Sequence, residues 1–406
     1  MTRAALALLA IATAAACGDG APAGAHTAID SAGVRVVTST APSWGPDAGW
    51  RVDTVPELEV GSGARAGDPL LIGVEAVRRL ADGQLLVATT DDQVLRWIDR
   101  DGAVVRTAGG AGEGPGEYRG LSVLGFIGDS LLTWDGRLGR VTVVAPDGAP
   151  ARQFRLGDPD SANATRYGFA PSAVLDGDRL LLAGVRGAAT NERSGLRRDT
   201  IPLATASTTG EVGPVFARVP GTESVVASTA DFVAVTERPF GATTAVAAAD
   251  GAAYVSVGDV DEVRRYDPAT GLTAIYRLDR PRRLISPAEI ERQGRRRGAQ
   301  AGQLPDRVDV AITSALLSAG IPTAYPAHDR LLVDATGAIW LREDIGAERA
   351  LEEARSWTIL APTGEWLGRV VTPVRFEVHQ VTRDRVVGVQ RTADDVEVVR
   401  VLRLRR

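Results

Sequence analysis

From Ile72 to Leu402 the chain alternates short apolar runs with polar pairs rich in Asp and Gly. The stretch Leu80–Gly109, LADGQLLVATTDDQVLRWIDRDGAVVRTAGG, sets the pattern. A turn at Asp82-Gly83 leads into an apolar strand, Leu85–Thr89, which breaks at Asp91-Asp92. A second strand follows at Gln93–Asp99, and Asp101-Gly102 turns into a third at Val104–Ala108. β-Branched and apolar runs closed by Asp-Gly pairs predict hairpins, because tight hairpin turns need positive φ. With Ile72–Leu80 ahead of the first turn, the unit has four strands.

The same order recurs down the chain. A second unit reads Ser122–Ile127, Leu131–Trp134, Arg140–Ala145 and Ala151–Leu156. The third begins near Phe169 and continues through Leu180–Ala183, Asp199–Thr205 and Val212–Phe216. The fourth reads Thr243–Ala249, Ala253–Val257, Glu262–Asp267 and Thr273–Arg277. The fifth reads Arg330–Asp334, Ile339–Arg342, Ser356–Ala361 and Trp366–Val371. The last has Phe376–Thr382, Val386–Gln390 and Val396–Leu402 and lacks an outer strand. The uninterrupted period is about 45–50 residues, as expected for four-stranded propeller blades. The expected fold is therefore all-β, a six-bladed β-propeller over residues 33–406. Two N-terminal pieces, Val34–Thr38 and Arg51–Val60, are each able to supply the missing strand and close the ring, so that no sheet edge stays open. The pattern does not choose between them. Two stacked β-sandwiches would not need one regular unit six times.

Two interruptions break the period. Ala217–Gly241 adds a loop with an extra strand at Phe232–Thr236. Pro281–Pro326 changes to helical spacing: Ser286-Pro287-Ala288-Glu289 is a capping box with Pro at the first helical position. Val308, Ile312, Ala315 and Leu316 then fall on one helical face until Gly320 and Pro322. Residues 281–327 are expected to be a helical insertion between blades four and five, lying across one face of the propeller.

Composition narrows the partners. Of 406 residues 44% are hydrophobic, enough for a core, and the net charge of -5 with interspersed signs argues against nucleic acid. Every basic side chain is Arg, so no Schiff-base or P-loop lysine exists. Arg3 and the apolar run Ala4–Ala16 form an export signal, too short for a stable membrane span. Ala14-Ala15-Ala16 precedes the single cysteine, Cys17, and then GDGAPAGA. Residues 1–16 are expected to be cleaved. Residues 17–32 are expected to form a flexible tether, held to the membrane by lipid on Cys17 where the sequence resembles the bacterial lipoprotein box. Simple secretion after cutting at the same bond is the alternative. One cysteine leaves no internal disulfide.

At Gly109–Gly120, GGAGEGPGEYRG, between the first and second units, the chain resembles bacterial six-bladed β-propeller lipoproteins related to NHL-repeat and TolB-like propellers. Members often carry a GxGPGEF-type loop, matched here by Gly112–Tyr118 with Tyr118 for Phe. The resemblance spans about Gly33–Leu402 and implies fold and export to the bacterial cell envelope. Its members largely lack an assigned activity, so it carries no catalytic residues.

Ligand-contact candidates come from loops and inner strands: Arg78, Glu117, Tyr118, Trp134, Asp135, His328, Asp329 and His379. The glycine loop lacks a following Gly-Lys-Ser/Thr and carries Glu113 and Glu117, which disfavours phosphate and favours a rigid crossing plugged by Tyr118. His26, His328 and His379 are isolated, which argues against a histidine metal site. Sugar-acid lactonases of the related six-bladed type hold a divalent cation through Glu, Asn and Asp. Here Asn163 and Asn191 fall in loops, and Glu75 and Glu377 do not complete a ligand set. Serine hydrolysis lacks both G-x-S-x-G and a visible Ser-His-Asp grouping. The leading expectation is a non-catalytic binding or scaffold module that recognises an envelope protein or small ligand through loops on one face, without a cofactor. The alternative is a Ca²⁺-dependent hydrolase or lactonase at the central channel.

Overall fold

A computed structural model describes residues 26–45, 48–65, 67–157, 168–185, 193–299, 305–346 and 349–406. Cys17, Asn163 and Asn191 lie outside the described residues. The chain opens with three strands, β1 (His26–Ser31), β2 (Val34–Ser39) and β3 (Arg51–Val60). Sheet I follows as β4 (Val74–Arg79), β5 (Leu85–Thr89), β6 (Val94–Ile98) and β7 (Val104–Gly109). Sheet II is β8 (Leu121–Ile127), β9 (Ser130–Asp135), β10 (Arg140–Val144) and β11 (Pro150–Phe154). Sheet III has five strands, β12 (Gly168–Val174), β13 (Arg179–Val185), β14 (Gly195–Ser207), β15 (Ala217–Ser228) and β16 (Val233–Glu237). Sheet IV comprises β17 (Ala245–Ala249), β18 (Ala252–Ser256), β19 (Glu262–Asp267) and β20 (Gly271–Leu278), extended by β2 and β1 to six strands. After α1 (Pro287–Ala299) and α2 (Asp306–Ala319), sheet V is formed by β21 (His328–Val333), β22 (Ile339–Glu343), β23 (Arg355–Leu360) and β24 (Trp366–Thr372), with a short α3 (Arg349–Glu352) between its middle strands. Sheet VI is β25 (Phe376–Val381), β26 (Arg385–Arg391), β27 (Glu397–Arg405) and β3.

Second strands such as β5 and β18 are buried along their whole length, whereas the outer strand β7 alternates. A strand covered on both faces reads as a continuous apolar run, and an edge strand needs only one apolar face. The coverage comes from neighbouring sheets. Among the described residues six apolar clusters each join two sheets: I with II, II with III, III with IV, IV with V, V with VI, and VI with I. First strands meet in the same sequence, with β4 against β8, β8 against β12, β12 against β17, β17 against β21, and β25 against β4. This is an all-β, propeller-like arrangement of mostly four-stranded sheets.

The two N-terminal pieces go to different sheets. β3 pairs antiparallel with β27, through Val60 opposite Val399 and Leu58 opposite Val401. β2 instead runs parallel to β20, Val36 opposite Ile275, and β1 folds back on β2. Within the stretch expected to be tether, His26–Ser31 is thus a strand. Between β2 and β3, Trp44 packs against Trp50 in a tilted pair with ring centroids 5.1 Å apart, and Trp50 reaches the fully buried Trp340 at 6.0 Å.

Sheet III corrects the expected unit. Its fourth strand is Ala217–Ser228, not Val212–Phe216, of which only Val212 makes an isolated bridge to Ala206. β14 and β15 run on beyond the sheet as a long hairpin edged by β16, close to the expected extra strand. α2 sits on that extension, burying Ile312 and Ala315 against Val225 and Ala227. The capping box forms as its sequence requires: the Ser286 N–H and hydroxyl each donate to Glu289 Oε2 at 2.8 Å, and the Glu289 N–H donates to Ser286 Oγ at 3.3 Å.

Candidate functional site

Three of the eight candidates, Glu117, Tyr118 and Asp135, build the crossing between sheets I and II. Gly109 has φ +92°, and a Cβ there would meet the Gln93 carbonyl at 2.7 Å, so the turn needs glycine. The Tyr118 N–H donates to Gly110 O at 2.8 Å, and its buried hydroxyl lies 3.0 Å from Thr133 Oγ1. The Glu117 carboxylate folds back to accept the Gly114 N–H at 2.8 Å. Arg140 clamps the loop from outside, donating to Gly114 O at 2.8 Å and Glu117 O at 2.7 Å. Asp135 is buried and accepts the N–H groups of Arg119, Arg137 and Leu138. Trp134 packs into the cluster between sheets II and III. Glu117, Tyr118 and Asp135 thus spend their polar side-chain atoms on the crossing and on the neighbouring strand β9.

Arg78, Asp329 and His379 come together where β4, β21 and β25 meet. His379 sits at a bulge between Val378 and Gln380, which leaves its carbonyl free of the ladder. Arg78 Nη1 donates to that carbonyl and to Val77 O, each at 2.9 Å. One carboxylate, Glu377, contacts both Arg330 and Arg342. Asp329 is likewise shared, accepting from Arg342 Nε and Arg355 Nη2 at 2.6 Å each. Four guanidinium groups therefore crowd a few carboxylates.

The titration behaviour follows. Burial, then the like charge of Arg342 and of Arg78 against the opposing Asp329, holds Arg330 down to about 10. Burial lowers Arg78 as well, against the pull of Glu75. Burial, then Arg330 and Arg78, pushes the His379 ring down to about 3, so it stays neutral through the physiological range. Burial raises Glu75, which accepts the Val123 N–H at 3.2 Å, and burial with the neighbouring Asp329 raises Asp344. A cavity of about 290 Å³ opens beside this cluster, lined among others by Glu377, His379, Arg355, Arg375 and Arg391. A second, of about 530 Å³, opens between sheets I and II beside Arg78 and Gln380. Both cavities thus open beside closely spaced guanidinium groups.

His328 behaves differently. It is fully buried at the start of β21, with Nδ1 3.2 Å from Ser256 Oγ and Nε2 2.9 Å from Asp261 Oδ1. Arg280 Nε donates to the other Asp261 oxygen at 2.6 Å. A Ser-His-Asp grouping thus exists, contrary to the sequence expectation, but Ser256 is buried too and no cavity described above reaches it. The chain of polar groups fastens the return of the helical insertion to sheet IV. No local motif signals it, since Ser256 and His328 are 72 positions apart. Among the described residues no group of three or more His, Cys, Asp or Glu is placed to hold a metal ion, and no helix is long and apolar enough to cross a membrane.

No family model matches the chain, and no curated protein matches it in sequence. Similar solved structures include a member of the DUF4221 family from Bacteroides vulgatus, with 9% identity and a TM-score of 0.49 over 87% of this chain and 99% of that one. A Bacteroides fragilis protein described as exported shows 11% identity and a TM-score of 0.48, covering 91% of this chain and 99% of that one. A virginiamycin B lyase from Staphylococcus aureus shows 8% identity and a TM-score of 0.41, over 88% of this chain and 100% of that one. At these scores the likenesses carry no functional argument.

Proposed function

We propose that the six sheets are six blades of a closed propeller, with β3 as the closing strand, and that the protein is a non-catalytic binding module of the bacterial cell envelope. Its ligand is a small anion, bearing carboxylate or phosphate, taken up where β4, β21 and β25 meet. The observation that carries this reading is the sharing of Glu377 between Arg330 and Arg342, with Arg78 bonded only to carbonyls among its hydrogen bonds described above. An incoming anion relieves the repulsion that burial intensifies, and planar guanidinium groups suit two-point contact with it. Export and the lipid on Cys17 rest on the N-terminal sequence, and incorporation of labelled palmitate in the wild type but not in Cys17→Ser tests them.

The ligand test is a thermal-shift and calorimetric screen with citrate, succinate and phosphate, alongside neutral sugars, Ca²⁺ and chelator. A ligand at a hundredfold excess over its Kd adds about 2.7 kcal/mol to the folded state. Arg330→Gln is expected to weaken the binding of the best anion at least tenfold. Anions that bind neither form, or bind both equally, refute the proposal. A chelator-sensitive melting point restored by Ca²⁺ supports the competing calcium-dependent hydrolase.

A further inference from the structure

α2 carries two apolar faces, although a helix lying on a sheet needs one. The first, with Ile312 and Ala315, is buried against the β14–β15 hairpin. The second is open to solvent: Val310 and Leu317, seven residues apart and so on one side of the helix, are 67% and 78% exposed. With Ile321, 45% exposed, and Ile290 of α1, they line a cleft of about 1080 Å³ between the two helices. Leu284, also exposed, is bridged through Ala324 to the same end of the insertion. Water is a poor permanent neighbour for a contiguous apolar patch of this kind.

Charge and chain path say what covers it. Residues 281–326 hold seven arginines and four carboxylates, a positive segment in a chain whose net charge is -5. Two insertions facing each other would bring like charges together, which disfavours a second copy as the occupant. An anionic lipid surface complements both the apolar cleft and the arginines. The N-terminus leaves from the same place. His26 lies opposite Ser39, Ser39 lies opposite Leu278, and the Asp279 N–H donates to Ser39 O at 2.9 Å, immediately before the insertion begins. Eight residues separate Cys17 from His26, a reach of no more than about 30 Å at full extension.

We infer that the α1–α2 insertion is a membrane-seating surface, in which Ile290, Val310, Leu317 and Ile321 enter the interface of an anionic bilayer while the arginines around them meet its headgroups. The surface acts beside any lipid on Cys17 and does not require it.

The test uses the chain from His26 to Arg406, which contains every described element and no anchor. Its sedimentation with 100-nm vesicles of phosphatidylcholine is compared with that on vesicles containing one quarter phosphatidylglycerol. Binding to the anionic vesicles is expected to exceed binding to the neutral ones at least tenfold. Val310→Asp/Leu317→Asp is expected to lose it at least tenfold, with melting temperature and near-ultraviolet circular dichroism unchanged, because both side chains are exposed. Arg295→Glu/Arg296→Glu is expected to lose the preference for anionic vesicles. Equal sedimentation of wild type and the double Asp variant overturns the inference. So does a concentration-dependent dimer that the same variant abolishes, since the occupant is then a second copy. Anion binding by the same preparation is read separately, so failure of the seating surface and failure of the ligand site are distinguishable.

Discussion

Glu289 offers a sharp test of how the insertion is held. It is buried at the first turn of α1, where Ser286 donates two hydrogen bonds to Oε2, and Arg283 and Arg349 approach Oε1. Burial opposes its ionisation, but the bonds from Ser286 and Tyr325 and the charge of Arg283 win, and the carboxyl is held down to about 2 from an ordinary 4.5. At about 1.4 kcal/mol per pH unit, that difference is worth at most about 3.5 kcal/mol to the folded insertion. Glu289→Ala removes the cap and the ionic contacts together and is expected to cost about 2–3 kcal/mol, on the order of a 30- to 150-fold rise in the open population. Trypsin reads that population directly, because Arg295, Arg296 and Arg297 lie inside α1 and are cut when the helix opens. Glu289→Gln keeps a side chain suited to the box and should fall between the two. The pH dependence has a definite sign. A depressed carboxyl stabilises fully above pH 4.5, and the contribution is lost as pH falls towards 2. Hydrogen exchange in α1 of the wild type should therefore lose protection, relative to Glu289→Ala, between pH 5 and pH 3. Cleavage at Arg295–Arg297 within twofold of wild type in Glu289→Ala would refute the reasoning.

Other consequences are simpler to check. Gly109→Ala, forced into a left-handed conformation against the Gln93 carbonyl, should cost about 2 kcal/mol or more in urea titration; an unchanged midpoint would mean the crossing is not rigid. Tyr118→Phe leaves Thr133 without its hydroxyl partner and should cost about 1–2 kcal/mol, with the m-value unchanged. The Asp261 carboxyl is held below its ordinary range: burial raises it, but His328 and Arg280 outweigh that. Its contribution is thus complete above the ordinary carboxylate range and is lost as pH falls through the lowered value. Asp261→Asn should flatten that part of the acid-unfolding curve, and coincident curves for the two proteins would count against it.

The repeating unit was legible because its information is local. Asp-Gly pairs specify turns through backbone dihedrals, apolar runs specify strands, and Ser286 with Glu289 specifies a helix start; each acts over a few residues. The exception within a unit is instructive. Val212–Phe216 has strand composition, yet the longer Ala217–Ser228 takes the ladder, because its apolar residues are also needed beneath α2. Propensity weighs one segment, whereas pairing is a competition between segments.

What the sequence by itself determined is thus the all-β recurrence of a mostly four-stranded unit, the place of the helical insertion and the capping at its start. Tertiary structure decided the destinations: β3 to β27 and β2 to β20, a choice set by which apolar faces are left uncovered once the other strands have paired. It also decided the chemistry. Arg78 and the His379 carbonyl lie 301 positions apart, and Ser256 meets His328 across 72. Arg78 was legible as a candidate, but Arg330, Arg342 and Arg355 carry no mark in the chain and gather around it only when the first strands meet, because burial and like-charge proximity are properties of the fold and of no single segment.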